Sequence, residues 1–388
     1  MGVLSPDGKT LFFSWRVTGV PQVWRLDGPM RFPIQLTAGQ DPTALAALTP
    51  DGSALVLSRD RKGEENPGLY LQDPRGGPLR LIQHKLGIQT RLQFVSDDSR
   101  WVYYSSNDQK PDFYALYRYD LTAGRVEELF AQDGIWSIDD HKPGRLLLGK
   151  AVGSNMTEYY ELDEASKALK PLFGQGERED YNAVYGPGDG EVLVNTPRFG
   201  EFRRLYSWRA GTFTPMTSEL GFDVADFSID RPRTRVTYTV NEKGYTRARA
   251  LDPRTRRELA VSGPLKDAVH AYWGTATPDG RFVTVGVDNG LEPFNSFVLD
   301  WKTGALTRWH AGSAPEADLP RFVSAALESY PARDGTPIPA FVRESKACPK
   351  PCPVLVRFHG GPEGQAQPGF SPTASAVVAD IIDTALGR

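Results

Sequence analysis

The sequence predicts an all-β protein: a seven-bladed β-propeller of four-stranded antiparallel blades, followed by a shorter region of different character. Three observations predict it. A Pro-Asp-Gly turn recurs at Pro6-Asp7-Gly8, Pro50-Asp51-Gly52 and Pro278-Asp279-Gly280. Degenerate copies fill the interval at Asp97-Asp98-Ser99, Pro143-Gly144, Asp189-Gly190 and Pro232-Arg233, so the third turn position falls at residues 8, 52, 99, 144, 190, 233 and 280. An alternating run then ends 19 to 21 residues after each turn, usually in Asp: at Asp27, Asp73, Asp120, Asp163, Arg209, Asp252 and Asp300. Two independent markers hold register across seven copies.

Each element of the unit has a local cause. In the turn, Pro presets φ, Asp bonds its own backbone and Gly accepts a positive φ. The apolar runs after it, such as Leu55-Val56-Leu57 and Val283-Thr284-Val285, and the alternating runs that follow are the period-2 signal of strands. After the repeated Asp come a second turn and a closing strand, such as PIQLT, VEELF, FTPMT or LTRWH. A lone meander cannot bury both faces, so the units must stack. A four-stranded repeat near 45 residues points to a propeller, and its regularity weighs against a pair of β-sandwiches. Trp24, Tyr70, Tyr117, Tyr160, Tyr206 and Phe297, three residues before the unit ends, are expected to pack between blades. The repeated Asp is expected to cap a turn.

Composition removes several function classes. The chain has 388 residues with 45 basic and 48 acidic side chains, net charge −3, so nothing electrostatic favours nucleic acid or an anionic membrane surface. A 40% hydrophobic and 24% charged composition excludes a disordered chain. Apolar runs fall far short of the ~20 residues of a membrane helix. Two Cys cannot build a disulfide framework or a four-Cys zinc site, and no metal or cofactor is expected. The opening MGVLSPDGK lacks the basic and apolar regions of a signal peptide, which leaves the cytoplasm as the default location. His84, His141, His270 and His310 read as surface or turn residues.

The repeat ends near residue 312, which places a propeller at 1–312 and a second region at 313–388. Residues 322–342 read as strand, Asp334-Gly335 turn, strand. A Pro-rich link follows, with Cys348 and Cys352 either paired across a short loop or reduced. Then an apolar strand, residues 353–358, runs into His359-Gly360-Gly361-Pro362. A strand ending in His-Gly-Gly is the oxyanion-loop arrangement of α/β-hydrolases, in which a backbone N–H stabilises a tetrahedral oxyanion. Glycine suits such a loop because the backbone must approach substrate without a Cβ. The alternative is a generic glycine turn after a buried strand.

The order of these parts resembles the prolyl oligopeptidase family of serine peptidases, which includes acylaminoacyl peptidases and dipeptidyl peptidases. The resemblance runs from residue 1 to about 372 and is sharpest at Ser5-Pro6-Asp7-Gly8, Asp334-Gly335 and His359-Gly360-Gly361-Pro362. It implies hydrolysis of short peptides by acyl transfer, beneath a propeller that excludes large folded substrates. By position, Gly361, beside Gly360, offers the oxyanion N–H and His359 braces the loop. The chain departs from the family pattern in one respect. No Gly-x-Ser-x-Gly occurs, Gly369-Phe370-Ser371-Pro372-Thr373 lacks the second Gly, and no His follows His359. The expectation is a chain truncated before the catalytic triad, with the first strands of an α/β-hydrolase domain and no activity alone. Glu64 and Glu65 are candidates for holding a substrate amine, and Phe202-Arg203-Arg204 for a carboxylate, with simple solvation as the bland alternative. Val378, Ile381, Ile382 and Leu386 share one helical face, either a first crossover helix or unrelated sequence. The second functional reading is a non-catalytic TolB-like propeller that binds a peptide or protein partner through its central face.

Overall fold

The computed structural model describes residues 1–261, 263–315, 318–344, 351–361, 364–372, 374, 377 and 378. The repeats fold as antiparallel meanders. The first sheet pairs Gly2–Leu4, Leu11–Trp15, Gln22–Leu26 and Ile34–Gln35 in chain order. The second does the same with Thr43–Leu48, Leu55–Arg59, Gly68–Gln72 and Arg80–Gln83. An eight-stranded sheet follows, from Thr90–Val95 to Leu169–Phe173, whose two meanders meet at one parallel bridge between Tyr114 and Ile135. Asn182–Tyr185, Glu191–Thr196, Arg204–Arg209 and Thr212–Pro215 form another four-stranded sheet. A seven-stranded sheet runs from Val224–Ile229 to Ala305–His310, joined inside by a bridge between Thr246 and His270.

The turns explain the repeat. Gly8, Gly52 and Gly280 sit at φ +73°, +75° and +71°. In four repeats a hydroxyl placed two residues before the turn Asp closes the unit. Ser5, Thr49, Ser96 and Thr277 donate to Asp7, Asp51, Asp98 and Asp279 at 2.6, 2.6, 2.5 and 2.6 Å. The same oxygens accept the backbone N–H that opens the next strand, as from Thr10 and Trp101 at 2.9 and 2.8 Å. The repeated Asp caps the second turn as expected: Asp120 accepts from Thr122 and Ala123, Asp163 from Ala165 and Ser166, Asp252 from Arg254 and Thr255.

Apolar clusters tie each repeat to the next. Phe12 and Val23 pack with Leu55 and Leu57, and Val56 and Leu69 with Val102 and Tyr104. Leu116 packs with Leu146 and Leu148, Leu147 with Val192 and Val194, and Leu193 with Val236 and Tyr238. Ala248 packs against the cluster of Val283 and Val285. The series then closes on itself. Leu4, Leu11 and Trp24 pack with Val298 and Trp309, and Thr284 donates to the Gly2 carbonyl at 2.9 Å. A ring of meanders closed in this way is a β-propeller. Trp24, Tyr117, Tyr160 and Phe297 all belong to these inter-repeat clusters or pack against them.

Three expectations differ from the structure. The sixth repeat does not complete four strands. Its closing strand is reduced to an isolated bridge between Leu251 and Glu258, because the chain turns at Gly263 into the short helix Pro264–Asp267, whose Leu265 fills the seam instead. His270 is not a surface residue. It is buried in strand His270–Ala276, with Nδ1 2.9 Å from the Thr246 hydroxyl. Residues 353–358 form no strand, and Val354 and Phe358 are 83% and 80% exposed. An apolar run needs a ladder partner and a facing layer to become a buried strand, and the described residues supply neither here. The hairpin before it forms as expected, Ala326–Pro331 against Pro337–Val342, with Gly335 at φ +85°. Among the described residues no helix is long and apolar enough to cross a membrane.

Candidate functional site

The candidate oxyanion loop lies on an exposed tight turn. His359, Gly360 and Gly361 are all exposed, and Gly361 takes φ +69°. The Gly364 N–H donates to the Gly361 carbonyl at 3.4 Å. A Cβ on Gly364 would lie 2.4 Å from the Gly360 oxygen and 2.9 Å from His359 Nδ1. The turn therefore closes only with glycine at that position. The His359 ring lies against this turn, with Nδ1 3.4 Å from the Gly360 oxygen. Pro362 lies outside the described residues.

Two side chains anchor the chain just after this turn. Arg343, at the end of the hairpin, donates to the carbonyls of Val323, Pro368 and Gly369 at 2.6, 3.1 and 2.7 Å. Burial pulls its guanidinium below the ordinary value, and Asp288 opposes that shift. The Asp288 carboxylate accepts the Phe370 N–H at 3.1 and 2.9 Å. Gly369 sits so close that a Cβ would meet Asp288 Oδ2 at 2.7 Å and His270 at 2.9 Å. Asn241 donates to Gln365 at 2.8 Å, and Phe322 stacks on Phe370 at 5.7 Å. Sequence reasoning missed Arg343 and Asp288. Neither sits in a motif, and their partners are backbone groups that a pattern does not reveal.

The other candidates separate. Glu64 and Glu65 lie in the loop between Leu55–Arg59 and Gly68–Gln72. Glu64 is half-buried and faces Arg61 at 3.5 Å, whereas Glu65 is exposed at φ +58°. Three buried polar atoms around this loop lack a hydrogen-bond partner: Glu64 Oε2, Asp60 Oδ1 and His84 Nε2. His84 Nδ1 is 2.7 Å from the Tyr70 hydroxyl, and burial, helped by Arg61, pulls its pKa down. The ring is therefore neutral near pH 7 and Nε2 points inward without a partner. Arg203 is bound to Asp180 and its N–H to Asp223 at 2.7 Å. Arg204 is committed to the Thr217 carbonyl, with Nε at 2.8 Å. Neither arginine of that pair is free to meet a carboxylate. Cys352 is disulfide-bonded, and Cys348 lies outside the described residues, as do Ile381, Ile382 and Leu386 of the expected tail helix.

No family model matches the sequence, and no curated relative matches it. Solved structures do match. A prolyl endopeptidase, studied for the role of inter-domain dynamics in catalysis and specificity, superposes with a TM-score of 0.72 at 13% identity, over 90% of this chain. The chain has the propeller fold of the prolyl endopeptidases. Puromycin hydrolase matches at 0.75 and 16% identity, and its mutant complexed with PGG at 0.74 and 16%, each over 97% of this chain. This chain spans 54% of the prolyl endopeptidase and 64% of puromycin hydrolase. The matches extend beyond the repeats into the region that carries the hairpin and the glycine turn.

Proposed function

We propose that this chain is the propeller and leading hydrolase segment of a prolyl oligopeptidase-like serine peptidase acting on short peptides. In this reading the ring has seven blades over residues 1–312, and residues 313–388 open the peptidase region. The blade count is supported by the seven turn copies and by apolar clusters that link each repeat to its neighbour. The observation that carries the reading is the structural match running through the ring and on past it, together with a glycine turn at Gly360-Gly361 just after the hairpin.

The residues divide the work as follows. Gly361 contributes an N–H toward the developing oxyanion, and its positive φ favours a residue without a Cβ. His359 braces the turn and is not a base. Asp288 and Arg343 fix the following turn on the ring. Glu64, whose Oε2 lies 3.5 Å from Arg61 and makes no hydrogen bond, offers with Asp60 beside it carboxylate acceptors to the free amine of a short peptide, since an ammonium can hydrogen-bond such atoms. Glu65, turned to solvent, has no part in this.

The chain carries no Gly-x-Ser-x-Gly and no His after His359. Without a nucleophile there is no acyl-enzyme route. The 388-residue chain is therefore expected to bind short peptides without hydrolysing them. Titration calorimetry with short peptides checks the first half, and a chromogenic acyl-peptide assay the second. Turnover blocked by a serine-directed phosphonate overturns the second half; absence of any peptide binding overturns the first.

A further inference from the structure

The sixth Pro-Asp-Gly-like turn differs from the others in composition and in what it touches. Where Gly8, Gly52, Gly144, Gly190 and Gly280 occupy φ +63° to +75°, this turn carries Arg233 at φ +57°, as the third carries the smaller Ser99 at φ +57°. A non-glycine residue there costs of order ~1 kcal/mol, so the side chain must return something. Where the first, second, third and seventh turns open with Ser or Thr, this one opens with Asp230, which accepts the N–H groups of Thr234 and Arg235 at 2.6 and 3.0 Å. The turn is rebuilt around its own carboxylate and leaves two guanidinium groups pointing outward.

Those groups reach other repeats. Arg233 holds both oxygens of Asp140, with Nη2 to Oδ1 at 2.7 Å, and donates to the carbonyls of Tyr185 and His141 at 3.0 Å each. Arg231 binds the Asp97 carboxylate and the Val95 carbonyl, the latter at 3.3 Å. Asp97 also lies 3.5 Å from His141 Nε2, and that ring lies flat on Phe94 at 3.9 Å. Arg235 reaches the Gly280 carbonyl at 3.0 Å. One turn thus contacts the third, fourth, fifth and seventh repeats. Turns elsewhere touch only a neighbour: Asp51 N–H on the Ser99 hydroxyl at 3.0 Å, Gly52 against Pro6, Gly8 against Phe282.

Geometry gives this contact a consequence. The first strands of neighbouring repeats pack side by side around the axis, and alternate residues on them, such as Ala44 and Ala46, are exposed there. A side chain that joins the sixth repeat to the third crosses the axial space. The segment at residues 365–370 docks on the other ends of the strands, at Asn241 and Asp288. We propose that Arg231 and Arg233 form a latch that spans the axis and shuts the turn-side mouth of the propeller, so that solutes reach the axial space only from the face carrying residues 365–370. The inference rests on the peptidase reading only for the identity of the solute, a short peptide. The two bonds differ in shielding. Arg233 and Asp140 are 16% and 12% exposed, Arg231 and Asp97 33% and 63%. Salt screens exposed charges far more than buried ones, so the Arg231 bond is the part that yields.

The test is thiol access to the axis. Ala46→Cys, in a Cys348→Ser, Cys352→Ser background, is alkylated by a small maleimide and by one carrying a bulky polymer. With Arg231→Ala plus Arg233→Gly, the bulky reagent is expected to react about tenfold faster or more, while the small reagent changes little. Arg233→Gly restores the residue type that most of the other turns carry, so the fold is retained; circular dichroism melts check that. Asp97→Asn, which leaves the sixth turn intact, is expected to open the mouth to a lesser degree. In the latched chain, about 1 M salt raises the bulky rate part of the way. Equal bulky rates in latched and unlatched chains overturn the proposal. Failure of peptide binding removes the peptidase reading and leaves these rates unchanged, so the two are told apart.

Discussion

Two apolar runs of similar composition end in opposite states. Leu55-Val56-Leu57 is fully buried, and Val354-Leu355-Val356 stands exposed, with Leu355 at 64%. Composition does not separate them. The first run has a ladder neighbour on each side, Thr43–Leu48 and Gly68–Gln72, and apolar layers from adjoining repeats on both faces. The second has neither among the described residues. A strand is a property of its neighbours as much as of its own sequence. The repeat supplies those neighbours every 43 to 47 residues, and the region after it does not.

The widest separation between the two regions is expected in the core. Leu57→Ala should lower unfolding free energy by about 2–5 kcal/mol, the cost of a buried leucine deletion. Leu355→Ala should stay within about 0.5 kcal/mol. Urea unfolding of both variants checks this. Comparable losses would break the comparison, because residues 353–358 would then be packed in solution.

Polar contacts should repeat the contrast on a smaller scale. Asp140 accepts from Arg233, from the Tyr185 N–H at 2.7 Å and from the His141 N–H at 2.8 Å. Asp140→Ala removes the counter-charge of a shielded guanidinium and the acceptor of two N–H groups, and should cost about 3 kcal/mol. Asp334 caps the exposed hairpin turn through the Thr336 N–H, and Asp334→Ala should barely move the urea midpoint. Equal shifts would mean that the hairpin turn is as enclosed as the ring.

Acid unfolding gives a third separation. The Arg281 guanidinium, first among the causes, holds the Asp300 carboxyl down at about 2. An unfolded aspartate titrates near ~3.9. A folded pKa below the unfolded one contributes stability that is complete above pH ~4 and is lost as pH falls toward 2. Asp300→Asn should therefore flatten the acid limb of the melting profile in that window, while lowering stability at neutral pH. Asp334, lowered by the Thr336 N–H in open solvent, should leave the limb nearly unchanged when made Asn. An unaltered limb in Asp300→Asn would place the acid sensitivity elsewhere.

What the sequence made legible follows the same division. Local devices could be read: the Pro-Asp-Gly turns, the capping Asp at 120, 163 and 252, the Asp334-Gly335 hairpin. Each acts within about five residues of itself. The hydroxyls of Ser5, Thr49, Ser96 and Thr277 stand before four of the seven turns, but their bonds to the turn Asp were not read from the sequence. Long-range partners were not legible either. The Asp97 and Asp140 partners of Arg231 and Arg233 lie 134 and 93 residues away, and the sequence marks Pro232-Arg233 only as a poor copy of a turn. Residues 353–358 carried the pattern of a strand without the neighbours that make one.

At the candidate amine site the comparison narrows to adjacent residues. Glu64 and Glu65 are alike in sequence, and only the backbone separates them, with Glu65 at φ +58° and turned to solvent. Glu64 Oε2 is buried without a hydrogen bond, 3.5 Å from the Arg61 guanidinium, beside two other atoms that lack hydrogen bonds. A charge-assisted bond to a shielded acceptor contributes about 1.5–3 kcal/mol, so Glu64→Gln should weaken binding of a short peptide with a free amine about tenfold or more. Acetylating that amine should abolish the difference between variant and parent. Glu65→Gln should leave the affinity unchanged, because an exposed carboxylate in water adds little. If the two variants weaken binding equally, the loop acts as a diffuse negative patch. Burial would then not be what distinguishes Glu64.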